Sequence, residues 1–313
     1  MGWEGMDYNE IVEPGTPQMR AIDSIIPMDE SFALALQGGV TTACTGPGSA
    51  NVVGGTFVAI KLYGKRVDKM IVKNPIAMKC AFGENPKRCH GHQAKRAPMT
   101  RMGTAAVLRE LLFKTQRYLA DKEAGKNPAF DMKLEAMIPV IKGELPLKAH
   151  AHRADDILTS IRIAKEFGVK LTLDHCTDGS LIADELAEEG YPAFVGPSLG
   201  SKSKIELINK SFTTPSELTK AGVKVSIITD APVIPLQYLP MCAALAANSG
   251  LDKEDAWKAI TINPAESIGI AARVGSLDVG KDADIVFWTA NPMTTVGAES
   301  CVPIVDGKVV YQA

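Results

Sequence analysis

No stretch of this 313-residue chain approaches the roughly 20 consecutive apolar residues that span a bilayer. Its first residues, Met1-Gly2-Trp3-Glu4-Gly5-Met6-Asp7, have neither the basic start nor the apolar stretch of a secretory signal. Charge of one sign is missing too. Against 36 Asp and Glu stand 34 Lys and Arg, a net charge of −2, which gives no electrostatic footprint for nucleic acid or an anionic membrane. The six cysteines (Cys44, Cys80, Cys89, Cys176, Cys242, Cys301) are scattered and include no Cys-x-x-Cys pair. They read as reduced thiols, which points to a cytoplasmic protein. The glycine-rich 45–55 loop lacks the Gly-Lys-Ser/Thr ending of a phosphate-binding loop, and no serine or cysteine triad is visible. There is no internal repeat.

What remains is 46% hydrophobic and 22% charged, the composition of a globular enzyme large enough for one α/β barrel and a small appendage. The patterning predicts a helix over 29–38, then strands over 40–44, 56–62 and 76–82, and helices over 103–120 and 128–142. From there strands and helices alternate: strand 145–150, helix 154–167, strand 169–174, helix 179–189, strand 192–196, helices near 203–209 and 214–221, and strand 223–229. Asp178 and Asn263 are expected as N-caps, and Gly168 and Gly190 as helix stops. Such alternation gives a parallel sheet, here of (β/α)8 type. After about residue 272 short strands follow, over 283–288, 302–305 and 308–311, the last two joined by Asp306-Gly307, a strong hairpin signal. The expected domains are a barrel over 1–271 and part of a small β-sandwich over 272–313.

Three of the predicted strands run into metal-binding side chains: Leu147-Lys148-Ala149 into His150, Leu171-Thr172-Leu173-Asp174 into His175, and Val225-Ser226-Ile227-Ile228-Thr229 into Asp230. The gaps of 25 and 55 residues are about one and two strand-plus-helix units. Imidazole and carboxylate are the ligands of a divalent, zinc-like ion, which makes a water acidic near neutral pH, and an aspartate beside it can carry the proton. Lys79 sits in an otherwise apolar strand, where an ammonium is costly unless paired. Neutral, it could take up carbon dioxide as a metal-bridging carbamate; the alternative is a salt bridge at the strand end. His152 and Arg153, just past His150, are candidates for contacting a substrate carbonyl or carboxylate. His90-Gly91-His92 lies among Lys87, Arg88, Lys95 and Arg96 and reads as a solvated loop.

The run from Ile262-Asn263-Pro264-Ala265 through Arg273-Val274-Gly275-Ser276-Leu277-Asp278-Val279-Gly280-Lys281-Asp282-Ala283-Asp284-Ile285-Val286 resembles the C-terminal end of the amidohydrolase superfamily, in its imidazolonepropionase-like group. Gly39-Val40-Thr41-Thr42, Asp174-His175 and Thr229-Asp230-Ala231 resemble it as well. The resemblance implies His150 as the fifth-strand ligand and His175 as the sixth-strand ligand. It makes Asp230 the eighth-strand ligand and proton shuttle, and Lys79 the fourth-strand carbamate bridge. Members of that family carry a first barrel strand ending in His-x-His. No such strand precedes the 29–38 helix, so the chain reads as starting downstream of it, with a barrel short of its first strand and at most one tightly bound ion.

The expected chemistry is metal-dependent hydrolysis of a non-aromatic C–N bond in an amide, cyclic amide or dipeptide-like small molecule. Deamination of a heterocyclic amine stays open, as does an inactive fragment or non-catalytic subunit. Self-association into a homo-oligomer is compatible with the sequence but not specified by it.

Overall fold

The structure, a computed structural model, describes residues 5–311. Met1–Glu4 at the head of the expected barrel domain, and Gln312 and Ala313 at the end of the C-terminal one, lie outside the described residues.

The first elements are helix α1 (Glu30–Gln37) and strands β1 (Thr42–Thr45), β2 (Val53–Lys61) and β3 (Ile71–Ala81). Next come α2 (Glu84–Pro86), α3 (Arg101–Glu123), α4 (Met132–Ile141), β4 (Leu147–Ala151), α5 (Ala154–Phe167) and β5 (Leu171–His175). The chain continues through α6 (Ala183–Glu189), β6 (Ala193–Val195), α7 (Thr214–Ala221) and β7 (Val225–Ile227). It closes with α8 (Leu239–Asn248), α9 (Lys253–Lys258), α10 (Ile262–Ser267), β8 (Ile285–Trp288), β9 (Ser300–Val305) and β10 (Lys308–Val309). Strands β1 to β7 form one seven-stranded sheet in chain order, and β10, β9 and β8 form a small sheet. The pairing is parallel between β3 and β4 and between β6 and β7, and antiparallel in the small sheet. This is the α/β arrangement the alternation predicts, with a crossover helix returning the chain between parallel strands. No helix among the described residues is long and apolar enough to cross a membrane.

The chain divides into two compact units, and the division falls inside β5, after Leu173. The first (described residues 5–24, 45–58 and 75–173) buries Leu108 and Leu112 of α3 and Met137 and Val140 of α4. Arg101, at the start of α3, grips buried Asp156 in the first turn of α5 through Nε at 3.1 and 3.0 Å. The second unit (described residues 25–44, 59–74 and 174–311) has one core of Ile227, Ala243, Ala246 and Ala256, and another of Ala35, Leu36, Leu62 and Val305. Beside the latter, the Gly280–Asp284 motif acquires a physical meaning. The buried ammonium of Lys61 lies 3.0 Å from Asp282, 2.5 Å from Asp284 and 3.4 Å from Asp306. Burial alone would push the Lys61 ammonium down, but its bonds to Asp284 and Asp282 outweigh that and hold it above the usual lysine range.

Local chemistry explains most element ends. Gly168 and Gly190 take left-handed conformations at φ 64° and 70° and stop α5 and α6, as expected. Asp306 and Gly307, at φ 49° and 75°, make the two-residue turn between β9 and β10. Two expected caps are corrected. Asp178 has φ −88° and ψ 12°, not the extended backbone an N-cap needs, and its carboxylate instead accepts from Asn209 Nδ2 at 2.9 Å. Residues 179–182 form a 3-10 turn, and α6 begins at Ala183. Asn263 lies inside α10, where its Nδ2 donates to the Val225 carbonyl at 2.8 Å and ties that helix to β7.

Candidate metal centre

His150 is held through its backbone by the end of β3. Ala81 faces it in the parallel register, and the Phe82 N–H donates to its carbonyl at 2.9 Å. Every residue of β4 is buried, so the strand delivers the His150 side chain, 2% exposed, into dry surroundings. His152, one residue past β4, is also buried, and its ring meets that of His150 edge-on, with centroids 4.7 Å apart and planes at 85°.

His175 ends β5 in an uncommon backbone. It has φ 77° and Cys176 has φ 46°, two successive non-glycine residues in the left-handed region. Such conformations carry about 1–3 kcal/mol of strain each and cluster where function fixes a side chain. The ring is pinned by β6: His175 Nδ1 lies 2.7 Å from the Gly196 carbonyl oxygen. A carbonyl only accepts, so Nδ1 carries the proton and Nε2 keeps its lone pair. The Cys176 thiol, fully buried and beside Asp174, is pushed far above its ordinary range, which argues against a nucleophilic role.

His150, His152 and His175 each offer a ring nitrogen, and these atoms lie within 4.8 Å of one another. Three buried imidazoles are a donor set suited to a zinc-like ion, with a fourth position left for water. The sequence places His150 and His175 among the ligands and His152 beside the substrate; the structure brings all three together.

Asp230 is not one of those three. It is exposed, at φ 52°, in the turn three residues past β7, where its carbonyl accepts from the Val233 N–H at 2.9 Å. Lys79 is buried in β3, opposite Lys148 of β4 in the register. Both ammonium groups approach the Phe57 ring, at 5.5 and 5.8 Å from its centroid. Arg153 precedes α5, and its guanidinium forks onto Asp155 with two contacts of 2.9 Å.

The expected solvated loop at His90-Gly91-His92 is corrected. Residues Lys87–Gln93 coil into a π-helix that buries His90 completely and leaves His92 exposed. His90 Nδ1 accepts from Arg96 Nε at 3.2 Å, and Nε2 lies 2.9 Å from Asn51 Oδ1. Asn51 in turn donates to the Glu10 carbonyl at 2.6 Å and to Thr16 Oγ1 at 2.8 Å, so this histidine braces the segment before α1. Sequence reasoning misses Asn85 and Gly196, which touch His150 and His175. Position is the one signal that could find them: each lies just past a strand that neighbours its histidine's strand.

Comparison with known proteins gives the family. The family model described as "Amidohydrolase family" matches residues 135–310. The amidohydrolase tasK of Hapsidospora irregularis is 27% identical over 97% of this chain, which spans about a third of that protein's length (34%). An imidazolonepropionase of Symbiobacterium thermophilum is 27% identical over 82% of this chain and 70% of its own. The crystal structure of an amidohydrolase from Thermotoga maritima MSB8 superposes with a TM-score of 0.95 at 42% identity, covering 98% of this chain and 81% of that one. With the family model matching more than half of its residues, the chain belongs to the amidohydrolase family.

Proposed function

We propose that this protein is a metal-dependent hydrolase of a non-aromatic C–N bond in a small amide, cyclic amide or dipeptide-like molecule. The observation that carries the reading is the buried trio His150, His152 and His175 in a chain of this family. The residues fit a divalent ion, zinc being the best match to three imidazoles, with at most one ion held tightly. When bound, such an ion supplies a water acidic enough to ionise near neutral pH and polarises the scissile carbonyl. Gly196 fixes the His175 ring so that Nε2 stays available as a ligand. Asp230, exposed past β7, takes a proton from water and returns it to the leaving nitrogen. Arg153 lies at the same end of β4 as the trio and is suited to a substrate carboxylate once it exchanges Asp155 for it.

Lys79 is proposed as a carbamate. Its ammonium first gives one proton to solvent; the neutral Nζ then attacks carbon dioxide, an N–C bond forms, one C=O π pair moves to oxygen and a second proton leaves to solvent. The reaction turns the like-charge pair of Lys79 and Lys148 around Phe57 into an ion pair.

The test is hydrolysis by zinc-reconstituted protein of N-acyl amino acids, dipeptides and cyclic amides, with amine and carboxylate followed as products. Turnover that a chelator abolishes and that His175→Ala lacks is expected. Ammonia release with the substrate ring intact would replace this reading with a deaminase. Protein that binds no zinc and turns over nothing would overturn it.

A further inference from the structure

The fold spends an unusual arrangement on one imidazole. Strand β3 ends at Ala81, and Gly83, at φ 79°, reverses the chain into the three-residue helix α2. That reversal brings Asn85 back over the histidine whose backbone the same loop already holds. The Phe82 N–H grips the His150 carbonyl at 2.9 Å, and Asn85 Nδ2 lies 3.3 Å from His150 Nε2. The amide is itself held, because Nδ2 donates to Ser49 Oγ at 2.7 Å. Ser49 belongs to the glycine-rich loop after β1, which is anchored in turn by a bond from the Gly48 N–H to the Tyr8 carbonyl (2.8 Å) and one from the Ala50 N–H to Asn9 (3.1 Å). A strand-end loop and a glycine-rich loop thus converge on one ring nitrogen.

We infer that Asn85, supported by Ser49, is a positioning residue that sets the tautomer and angle of His150 for metal binding. The inference rests on the metal reading of the histidine trio. An amide turned with Oδ1 toward the ring accepts from an Nε2–H and leaves Nδ1 as the nitrogen His150 can offer, in the way the Gly196 carbonyl leaves Nε2 of His175. With its NH2 toward the ring Asn85 donates to Nε2 and the proton sits on Nδ1; the metal-binding orientation is the turned-over one, in which the Ser49 hydroxyl donates to the same Oδ1. Groups that orient a ligating histidine are typically worth about 10–100-fold in metal affinity.

The test uses the full chain, ring-15N-labelled at histidine, and three variants read against wild type. Five histidines make the spectrum assignable. In metal-free wild type, one His150 tautomer, with the proton on Nε2, is expected. Asn85→Asp, which can only accept, is expected to move the proton fully to Nε2 and to keep or raise zinc affinity. Asn85→Leu is expected to give a mixture of tautomers and a roughly 10–100-fold loss of zinc affinity, with the His175 signals unchanged as the control for folding. Ser49→Ala should give a weaker form of the Leu result. A single unchanged His150 tautomer in Asn85→Leu, or equal loss in the Asp and Leu variants, overturns the inference. If wild type binds no zinc, the metal reading falls, and the metal-free tautomers alone decide the role of Asn85.

Discussion

His175 Nδ1 sits 2.7 Å from the carbonyl oxygen of Gly196, and no residue but glycine can present that carbonyl. Gly196 has φ 132°, and a Cβ there would lie 2.4 Å from the carbonyl oxygen of Ile228. The close approach of β6 to the chain beyond β7 therefore dictates how a candidate ligand at the end of β5 is aimed.

Gly196→Ala should accordingly act on both stability and the metal. Strain of about 1–3 kcal/mol is expected from the forbidden conformation, with a further shift of the carbonyl away from His175. Thermal denaturation and zinc titration of the same samples check this. Wild-type zinc affinity in a destabilised Gly196→Ala protein would separate the carbonyl from the metal.

Carboxylation of Lys79 is expected to need its neighbour. With 13C-bicarbonate, wild-type protein should show one carbamate resonance that Lys79→Arg lacks. Lys148→Met, which removes the facing ammonium, should weaken it several-fold. No carbamate at saturating bicarbonate would return Lys79 to a structural role.

His90 predicts acid sensitivity. Burial, with the Arg96 guanidinium alongside, holds its imidazole below the usual range. A depressed pKa means that the fold favours neutral His90. Its contribution is present above the free imidazole value of about 6.5 and is lost as pH falls through the folded value. Protonation of Nδ1 breaks the bond from Arg96 Nε and sets two cations edge to edge. Tm should drop on acidification below about pH 6.5, and the drop should flatten in His90→Gln. Identical Tm profiles for the two proteins would remove His90 from the account.

Lys61 predicts a large stability effect far from the trio. Lys61→Met leaves Asp282, Asp284 and Asp306 facing one another without their cation, a change of about 3–5 kcal/mol for a buried pair. Adding Asp284→Asn should recover part of the loss. Denaturant unfolding reads both, and a loss below about 1 kcal/mol would make the cluster a solvated one.

Much of this is legible in the residues. The helix over 154–167 can be bounded from the sequence because Gly168 is the one residue there that takes a left-handed stop cheaply, and acidic side chains suit its first turn. His150 and His175 stand out because a polar ligand at the end of an apolar run is a local pattern. Local pattern misleads at His90. The basic residues around it suggest solvent, while its burial comes from Asn51, 39 positions away.

Composition, strand–helix alternation and the short motifs by themselves determined the α/β class, the succession of strands and helices along the chain and the family resemblance, because each depends on neighbours a few residues apart. Only the tertiary structure decided which side chains meet. It added His152 to His150 and His175, put Asn85 and Gly196 on their rings, placed Lys148 opposite Lys79 and clustered three aspartates on Lys61. Apart from His150 with His152, those meetings join residues tens to hundreds of positions apart. Packing sets their distances and angles, and no spacing along the chain encodes them.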